Sequence, residues 1–247
     1  MNVRDSTLRM AIGAVSRDSY ANSQLDDYGK QHGPLAWRPP LRMRVRARSS
    51  RPTWPPHVRA DAAPDAFLRG TAGFGFWNAG LSPGGKVLSL PDAVWFFAAS
   101  RPSEIALVPD VPGWGWKAQV VHAHRASSAF QLVPTLATVA MARLGGPSSP
   151  AERWVRKLSG AHEAQVTASL CDWHTYELDW LPESASFRVD GVEVLHAPGP
   201  PRGPLGFVTW IDNQFAIATP RGELRFGFVA TSPQWLELDS LEITPLG

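Results

Sequence analysis

The sequence is poor in cysteine, in signal-peptide features and in long hydrophobic runs. Its single cysteine, Cys171, excludes an internal disulfide framework and is typical of a reducing compartment. No apolar run approaches the roughly 20 residues that a membrane-spanning helix needs. The N-terminus lacks the apolar core of a signal peptide, so we expect a cytoplasmic protein without a membrane span.

Motifs for nucleotide binding and for Ser-His-Asp catalysis are also missing. The net charge is only +2, from 24 basic and 22 acidic residues, and we expect neither a nucleic-acid partner nor a cofactor. Basic residues concentrate where Arg42, Arg44, Arg46 and Arg48 alternate with apolar residues. This alternation predicts the solvent-facing side of a half-buried strand, and a phosphate-binding stripe is the alternative.

Alternation of apolar and polar residues is the dominant pattern of the chain. It predicts strands at residues 7–13, 41–48, 71–77, 93–99, 104–108, 116–124, 162–170, 173–180, 185–190, 192–197, 205–211, 224–230 and 235–244. The Asp190-Gly191 pair predicts a two-residue hairpin turn, because glycine tolerates the positive φ that such turns need. Many short strands with frequent turn signals indicate an all-β fold, either a sandwich or a barrel. We expect one domain over 1–247, with an N-terminal strand and loop region at 1–40.

Residues 126–160 break the alternation and predict a short helical insertion. The stretch 129–144 is rich in Ala, Leu and Val, and Ser149 followed by Pro150 is typical of the start of a second helix. Because 129–144 carries almost no charge, we expect it to cover an apolar surface. It is interpreted either as a lid over a cleft or as a helix packed on the sheet.

Tryptophan is the most informative residue type of the chain. There are 11 Trp, 11 Phe and only 3 Tyr, and the tryptophans cluster beside glycine and proline. Tryptophan is rarely buried completely, and its indole N–H needs a partner. Part of this set is therefore expected to line a cleft, where flat apolar faces suit sugar rings, isoprenoids and other aromatics. The alternative is a tryptophan-rich core.

Residues 173–194, WHTYELDWLPESASFRVDGVEV, resemble the HTY…W…P…VDG stretch of glycoside hydrolase family 16 and the wider concanavalin A-like lectins and glucanases. The segments 73–78, 204–210 and 236–243 support the resemblance in order along the chain. It implies a jelly-roll of two antiparallel sheets, with a ligand groove across the concave sheet. It also places strand 173–180 inside that concave sheet, beside strand 93–99.

The Glu-x-Asp-x-Glu strand that carries catalysis in that family is not retained. Alternate residues of a strand share one face, and retaining hydrolysis needs two carboxylates together. In the corresponding strand, one set of alternate residues contains a single acid, Asp92, and the other set contains Trp95 and Phe97. Neither register supplies two carboxylates, so we do not expect hydrolysis by the family mechanism.

Other side chains are candidates for chemistry in the groove. The acid–base candidates are His174, Tyr176, Asp92 and Glu104. His122 and His124 form a His-x-His pair, which is a weak candidate for metal binding; the alternative is two histidines at a strand end.

We expect one ligand groove that combines aromatic and polar side chains. The predicted lining residues are Trp95, Phe97, His174, Tyr176 and Trp210, with Trp77, Trp114 and Trp116 at the rim. The favoured function is binding of a small molecule or glycan without hydrolysis. The alternatives are an enzyme with His/Tyr acid–base chemistry on a glycan or a hydrophobic molecule, and a structural or interaction domain.

Overall fold

The chain is built almost entirely from β-strands. The computed structural model of the protein describes residues 2–4, 7–27, 35–55, 64–78, 92–108, 110–122, 160–218 and 224–247. Its strands are β1 (Asn2–Arg4), β2 (Thr7–Ile12), β3 (Asn22–Asp26), β4 (Leu41–Ser49), β5 (Thr71–Trp77), β6 (Asp92–Ala99), β7 (Gly115–His122), β8 (His162–Gln165), β9 (His174–Trp180), β10 (Ser184–Val189), β11 (Val192–Pro198), β12 (Gly206–Asp212), β13 (Gln214–Ala218), β14 (Leu224–Phe228) and β15 (Gln234–Pro245). Within these ranges the helical content is one 3-10 turn, Pro64–Ala66.

The strands form two large antiparallel sheets and one small hairpin. The seven-stranded sheet has the order β1-β2-β15-β4-β9-β10-β11, and the six-stranded sheet has the order β3-β12-β5-β6-β7-β8. Strands β13 and β14 pair separately. The predicted fold class, an all-β two-sheet antiparallel sandwich, is confirmed.

Aromatic rings fill the space between the two sheets. Phe74, Phe96 and Trp116 come from three neighbouring strands of the six-stranded sheet, and Tyr176 meets them from the seven-stranded sheet. Ring centroids lie 5.1 Å apart for Phe96 and Tyr176 and 5.6 Å apart for Trp116 and Tyr176. This core keeps the alternate residues of the same strands on the outer face of the sheet.

The arginine-rich strand β4 has the two faces that its sequence predicts. Its apolar residues are buried in the core, whereas the four arginines lie on the outer face of the seven-stranded sheet. Arg42 donates to Asp179 at 2.8 Å, and Arg48 donates to Glu237 at 2.9 Å. Paired arginines of this kind are typical of a solvated strand face.

The hairpin between β10 and β11 turns at Asp190 and Gly191, as predicted. Both residues have positive φ, 49° and 80°, which is the geometry of a type I′ turn. The side chain of Asp190 also accepts a hydrogen bond from the backbone N–H of Thr175 at 2.9 Å, so the turn is fastened to β9.

The predicted strand at 104–108 is wrong. Only Glu104 makes an isolated bridge, to Ile217. The backbone N–H groups of Leu107 and Val108 instead donate to the side chain of Glu163, at 2.8 and 3.2 Å. A carboxylate satisfies these donors, so the segment is a loop fixed to the sheet.

Three short strands were not predicted, and one prediction lies outside the described residues. The unpredicted strands are β1, β3 and β13, and β3 is a largely polar segment, NSQLD, without an apolar face that alternation could reveal. The helical insertion expected at 126–160 lies outside the described residues except for residue 160.

Candidate functional site

The outer face of the six-stranded sheet carries a cluster of four aromatic residues. Trp77 ends β5, Trp95 and Phe97 are alternate residues of β6, and Trp210 lies on β12. They form a cluster separate from the main core, with Ile105 packed against it. Trp77 and Trp95 are half-buried, whereas Phe97 and Trp210 are 8% and 7% exposed. We call this set the aromatic surface.

The rings of the aromatic surface lie next to one another at interplanar angles of 19° to 46°. Ring centroids of Trp95 and Phe97 are 5.4 Å apart with an interplanar angle of 19°. Trp77 and Trp95 are 5.7 Å apart at 29°, and Trp95 and Trp210 are 5.3 Å apart at 46°. Rings arranged in this way form a platform rather than a cage with perpendicular walls.

Two glycines of β5 make room for the platform. A Cβ atom on Gly73 would lie 2.9 Å from the Trp210 ring, and one on Gly75 would lie 2.5 Å from the Cα of Trp95. Glycine in a strand interior often marks a close approach of another group to the backbone. Because Gly73 has no side chain, the indole of Trp210 can lie directly on the sheet.

The indole N–H of Trp95 is held by a relay of side chains from β7 and β8. Trp95 Nε1 donates to Gln119 Oε1 at 2.7 Å, and Gln119 Nε2 donates to Glu163 Oε2 at 2.9 Å. Gln119 and Glu163 are themselves buried, at 2% and 6% exposure. The orientation of the Trp95 ring is therefore fixed by a buried carboxylate.

Glu163 also forms a buried ion pair with Lys117. Lys117 Nζ lies 2.9 Å from Glu163 Oε2 and donates to the carbonyls of Ile105 and Pro112 at 3.1 and 3.0 Å. Burial lowers the pKa of Lys117, and the charge of Glu163 opposes that shift. The pair fastens the loop backbone at Ile105 and at Pro112 to the sheet, beside the aromatic surface.

A second relay holds the indole N–H of Trp210. Trp210 Nε1 donates to Thr71 Oγ1 at 2.9 Å, and Thr71 Oγ1 donates to Asp212 Oδ1 at 2.8 Å. Burial raises the pKa of Asp212 from 3.8 to about 6, and hydrogen bonds from Gln214 and Thr71 partly oppose the shift. The Asp212 carboxyl therefore gains a proton in mildly acidic solution, at a higher pH than an ordinary aspartate.

A row of polar side chains borders the aromatic surface at the edge strand β3. Asn22, Gln24 and Asp26 pair in register with Asp212, Trp210 and Val208 of β12. Asn22 and Gln24 are exposed, and Gln24 Nε2 donates to Asp26 Oδ2 at 2.8 Å. Planar amide and carboxylate groups thus stand one strand away from the rings.

The outer face of β6 carries no carboxylate. Its outward residues are Ala93, Trp95, Phe97 and Ala99, whereas Asp92 lies on the same side as the core residues Val94 and Phe96. The arrangement that retaining glycoside hydrolysis needs, two carboxylates on one strand face, does not exist on β6.

The structure does not bring His174 and Tyr176 into the aromatic surface. Strand β9 belongs to the seven-stranded sheet, so it lies neither in the same sheet as β6 nor beside it. Tyr176 is fully buried between the sheets, and burial raises its pKa. His174 lies at the end of β9, where its Nδ1 is 2.5 Å from Asp190 Oδ2. The expectation of one groove containing these two residues and Trp95 is therefore wrong.

Trp114 and Trp116 are also separate from the aromatic surface. Trp116 is 1% exposed and belongs to the inner core, because alternation on β7 sends it to the face opposite Lys117 and Gln119. Trp114 precedes β7, and the guanidinium carbon of Arg101 lies 3.5 Å from its ring centroid.

Asp92 and His122 face a cavity at the end of the sandwich. They are direct partners on β6 and β7. The cavity has a volume of about 720 Å³, and its lining includes Asn78, Glu183 and Arg202. Asp92 therefore lies on the opposite side of the sheet from Trp95.

The metal and acid candidates do not form a joint site. Nδ1 of His122 lies 3.2 Å from the carbonyl of Gly199, and His124 lies outside the described residues. No group of three or more metal-ligating side chains occurs in the described ranges. Glu104 lies in the loop that follows β6, where its backbone N–H donates to Ala216.

Four functional side chains of the site were missed in the sequence. Lys117 and Gln119 are alternate residues of β7, but Glu163 is at least 44 residues away along the chain, and their hydrogen bonds to it depend on the pairing of β7 with β8. Asp212 is not part of any sequence motif that would indicate its role. The glycines of β5 did carry a signal, because two alternate glycines inside a predicted strand mark a place where bulky groups approach the backbone.

Comparisons with known proteins give matches among solved structures only. No protein-family profile and no curated protein matches the sequence. One similar structure comes from work on endo-acting O-glycanases of the human gut microbiota, with 12% identity, a TM-score of 0.48, and coverage of 99% of this chain and 81% of that chain. A prokaryotic β-1,3-1,4-glucanase (lichenase) from a mouse hindgut metagenome has 11% identity, a TM-score of 0.46, and coverage of 98% and 82%.

A legume lectin-like domain from Entamoeba histolytica has 8% identity, a TM-score of 0.49, and coverage of 100% of this chain and 87% of that chain. The similarity of all three concerns the fold. Glucanases and a lectin-like domain are the kinds of protein that residues 173–194 resemble.

Within the described part of the chain, no helix has the length and hydropathy that crossing a membrane requires.

Proposed function

We propose that the protein binds a carbohydrate on the aromatic surface and does not hydrolyse it by the two-carboxylate mechanism. The observation that carries the proposal is the composition of the outer face of the six-stranded sheet. Four aromatic rings lie together there, and β6, which contributes two of them, carries no outward carboxylate. Flat apolar ring faces stack on the C–H faces of sugars, and they leave the sugar hydroxyls free for polar neighbours.

The hydrogen bonds of the site support stacking as the mode of binding. The indole N–H groups of Trp95 and Trp210 are used within the protein, so neither serves as a donor to a ligand. The half-buried ring of Trp95 offers its face, and the buried ring of Trp210 packs beside it. The exposed amides of Asn22 and Gln24 on β3 supply groups that pair with hydroxyls. Binding sites of this kind combine an apolar surface with a few polar groups that fix orientation.

A flat hydrophobic molecule is the second candidate ligand. Ile105 and Val208 belong to the same apolar cluster as the rings, and neither offers a hydrogen bond to a sugar hydroxyl. An aromatic or isoprenoid ligand would use the rings and these two side chains. It would gain nothing from the polar row on β3.

Tryptophan fluorescence distinguishes these candidates. Laminarihexaose, cellohexaose and the hydrophobic dye 8-anilinonaphthalene-1-sulfonate are titrated into the wild type and into Trp77→Ala and Trp95→Ala. Trp173→Ala is the matched control, because Trp173 is a half-buried tryptophan stacked by Arg46 and Arg48 on the outer face of the other sheet.

The proposal predicts saturable binding of an oligosaccharide that Trp77→Ala and Trp95→Ala remove and Trp173→Ala retains. Binding of the dye alone, with the same dependence on the variants, would favour the hydrophobic ligand. Binding that is unchanged in Trp77→Ala and Trp95→Ala would contradict the assignment of the aromatic surface. Melting curves of each variant by circular dichroism show whether lost binding reflects lost folding.

A further inference from the structure

Asp212 lies where the aromatic surface meets the β13–β14 hairpin. It is the last residue of β12, is 6% exposed, and pairs in register with Thr71 on β5 and with Asn22 on β3. Its Oδ1 atom accepts three hydrogen bonds: from Thr71 N at 3.2 Å, from Thr71 Oγ1 at 2.8 Å and from Gln214 N at 2.9 Å. One carboxylate oxygen therefore connects two parts of the protein.

The connection to the aromatic surface runs through a single hydroxyl. Thr71 Oγ1 accepts the indole N–H of Trp210 and donates its own proton to Asp212. Hydrogen bonds to a charged acceptor are stronger, and a chain of them is strengthened cooperatively. The negative charge of Asp212 thus favours the orientation in which Trp210 lies over Gly73 and beside Trp95.

The connection to the hairpin runs through the backbone. Gln214 begins β13, and its N–H donates to the same oxygen atom of Asp212. The hairpin in turn contacts the loop after β6, because Glu104 N donates to Ala216 O at 2.9 Å and Glu104 bridges Ile217. Weakening the Asp212 carboxylate would loosen both the ring and the start of the hairpin.

The electrostatic surroundings of Asp212 differ from those of Glu163. Lys117 neutralises Glu163, whereas no described lysine or arginine forms an ion pair with Asp212. Its neighbours in β3, β5 and β13 are the uncharged Asn22, Thr71 and Gln214. Tyr20, which precedes β3, is the described titratable side chain whose pKa responds to Asp212; burial and this carboxylate raise that pKa to about 12. Tyr20 therefore stays neutral in mildly acidic solution.

We propose that Asp212 is a positioning residue that holds Trp210 and the start of the β13–β14 hairpin in place for binding at the aromatic surface, and that its protonation in mildly acidic solution loosens both. The functional consequence, weaker ligand binding at acidic pH, rests on the proposed function. The structural part of the inference can be measured without any ligand.

The direct test follows two N–H groups by NMR as the pH is lowered from about 7.5 to about 5 in the absence of ligand. The indole Nε1–H resonance of Trp210, assigned with Trp210→Phe, and the amide resonance of Gln214 are expected to shift together, with a common midpoint near the pKa of about 6. In Asp212→Asn both shifts should disappear. In Asp239→Asn, which changes an aspartate of the opposite sheet, both should remain.

Thr71→Val separates the two connections. It removes the hydroxyl between Trp210 and Asp212 and leaves the hydrogen bond from Gln214 to Asp212. The chemical shift of the Trp210 indole N–H should then be independent of pH, while that of the Gln214 amide should still change with the protonation of Asp212. Resonances that do not move, that move equally in Asp212→Asn, or that remain coupled in Thr71→Val would overturn the role of Asp212.

Binding of laminarihexaose, cellohexaose and the dye at both pH values tests the functional consequence. Coupled sites commonly change affinity by about fivefold or more, and a loss of this size at pH 5 is expected in the wild type but not in Asp212→Asn. Titrating N–H groups without binding of any probe would refute the proposed function while supporting the positioning role. Binding that is independent of pH in the wild type would overturn the regulation and leave the proposed function standing.

Discussion

Replacing Lys117 with methionine should destabilise the protein far more than the loss of an exposed ion pair. The Lys117 side chain is completely buried, and its ammonium group has three acceptors: two loop carbonyls and Glu163. Methionine fills a similar volume but supplies no donor. The buried carboxylate of Glu163 would lose its cation while remaining inaccessible to water. Breaking a buried pair in this way costs about 3–5 kcal/mol.

Urea denaturation of Lys117→Met, with Arg44→Met as the matched control, measures this cost. Arg44 pairs with Glu177 at 3.6 Å, and its side chain is 57% exposed, so solvent screens the interaction. Exposed pairs contribute about 0–1 kcal/mol, and the control should unfold close to the wild type. The Trp95 fluorescence of Lys117→Met should also change, because Glu163 holds Gln119 and Gln119 holds the indole N–H. Equal and small losses of stability in both variants would refute the claim that this pair fixes the loop to the sheet.

Three further outcomes are expected. Gly73→Ala should cost about 1–3 kcal/mol by overpacking, because the new Cβ would lie 2.3 Å from the Phe96 carbonyl oxygen and 2.9 Å from the Trp210 ring; an unchanged urea midpoint would contradict this. The native Asp212 carboxyl titrates near 6 instead of 3.8. Protonation removes the cost of burying its charge, although it weakens the local hydrogen bonds to Oδ1, so the folded state binds more protons between these values and its global stability falls as pH rises through them. Asp212→Asn should abolish this fall in stability, which amounts to about 3 kcal/mol by pH 7 in the wild type. Urea midpoints of the variant near pH 4 and pH 7 test this, and a fall of the same size in Asp212→Asn would contradict it. Reducing-sugar assays on β-1,3 and β-1,4 glucans should show no turnover, and turnover that Asp92→Asn removes would show that another carboxylate arrangement performs the chemistry.

Local patterns in the sequence predicted the strands well, because alternation reports directly which residues face the core. Strand β4 keeps its arginines outside, and the Asp190-Gly191 turn forms where its positive φ angles require it. The strand β3 was missed because its residues are mostly polar, and its stability comes from pairing with β12 at an edge. Alternation therefore identifies strands that bury an apolar face.

The assembly of the candidate site was predicted only in part. Trp95 and Phe97 share a face because they are two residues apart, and Trp210 and Trp77 join them as expected. The assignment of His174 and Tyr176 to the same groove is wrong, because alternation gives the face of a strand but not the sheet to which the strand belongs. The contacts of Glu163 with Lys117 and Gln119 arise only when β8 pairs with β7, and no local sequence pattern predicts this pairing.

The most direct test of binding at the aromatic surface is a map of the tryptophan indole N–H resonances during titration with laminarihexaose, cellohexaose or 8-anilinonaphthalene-1-sulfonate. Binding on the outer face of the six-stranded sheet predicts that the resonances of Trp77 and Trp95 shift with a common dissociation constant. Those of Trp173 and Trp235, which lie beneath arginines on the opposite outer face, should stay in place. Shifts confined to Trp173 and Trp235, or no shift of Trp77 and Trp95 with any of the three probes, would contradict the assignment.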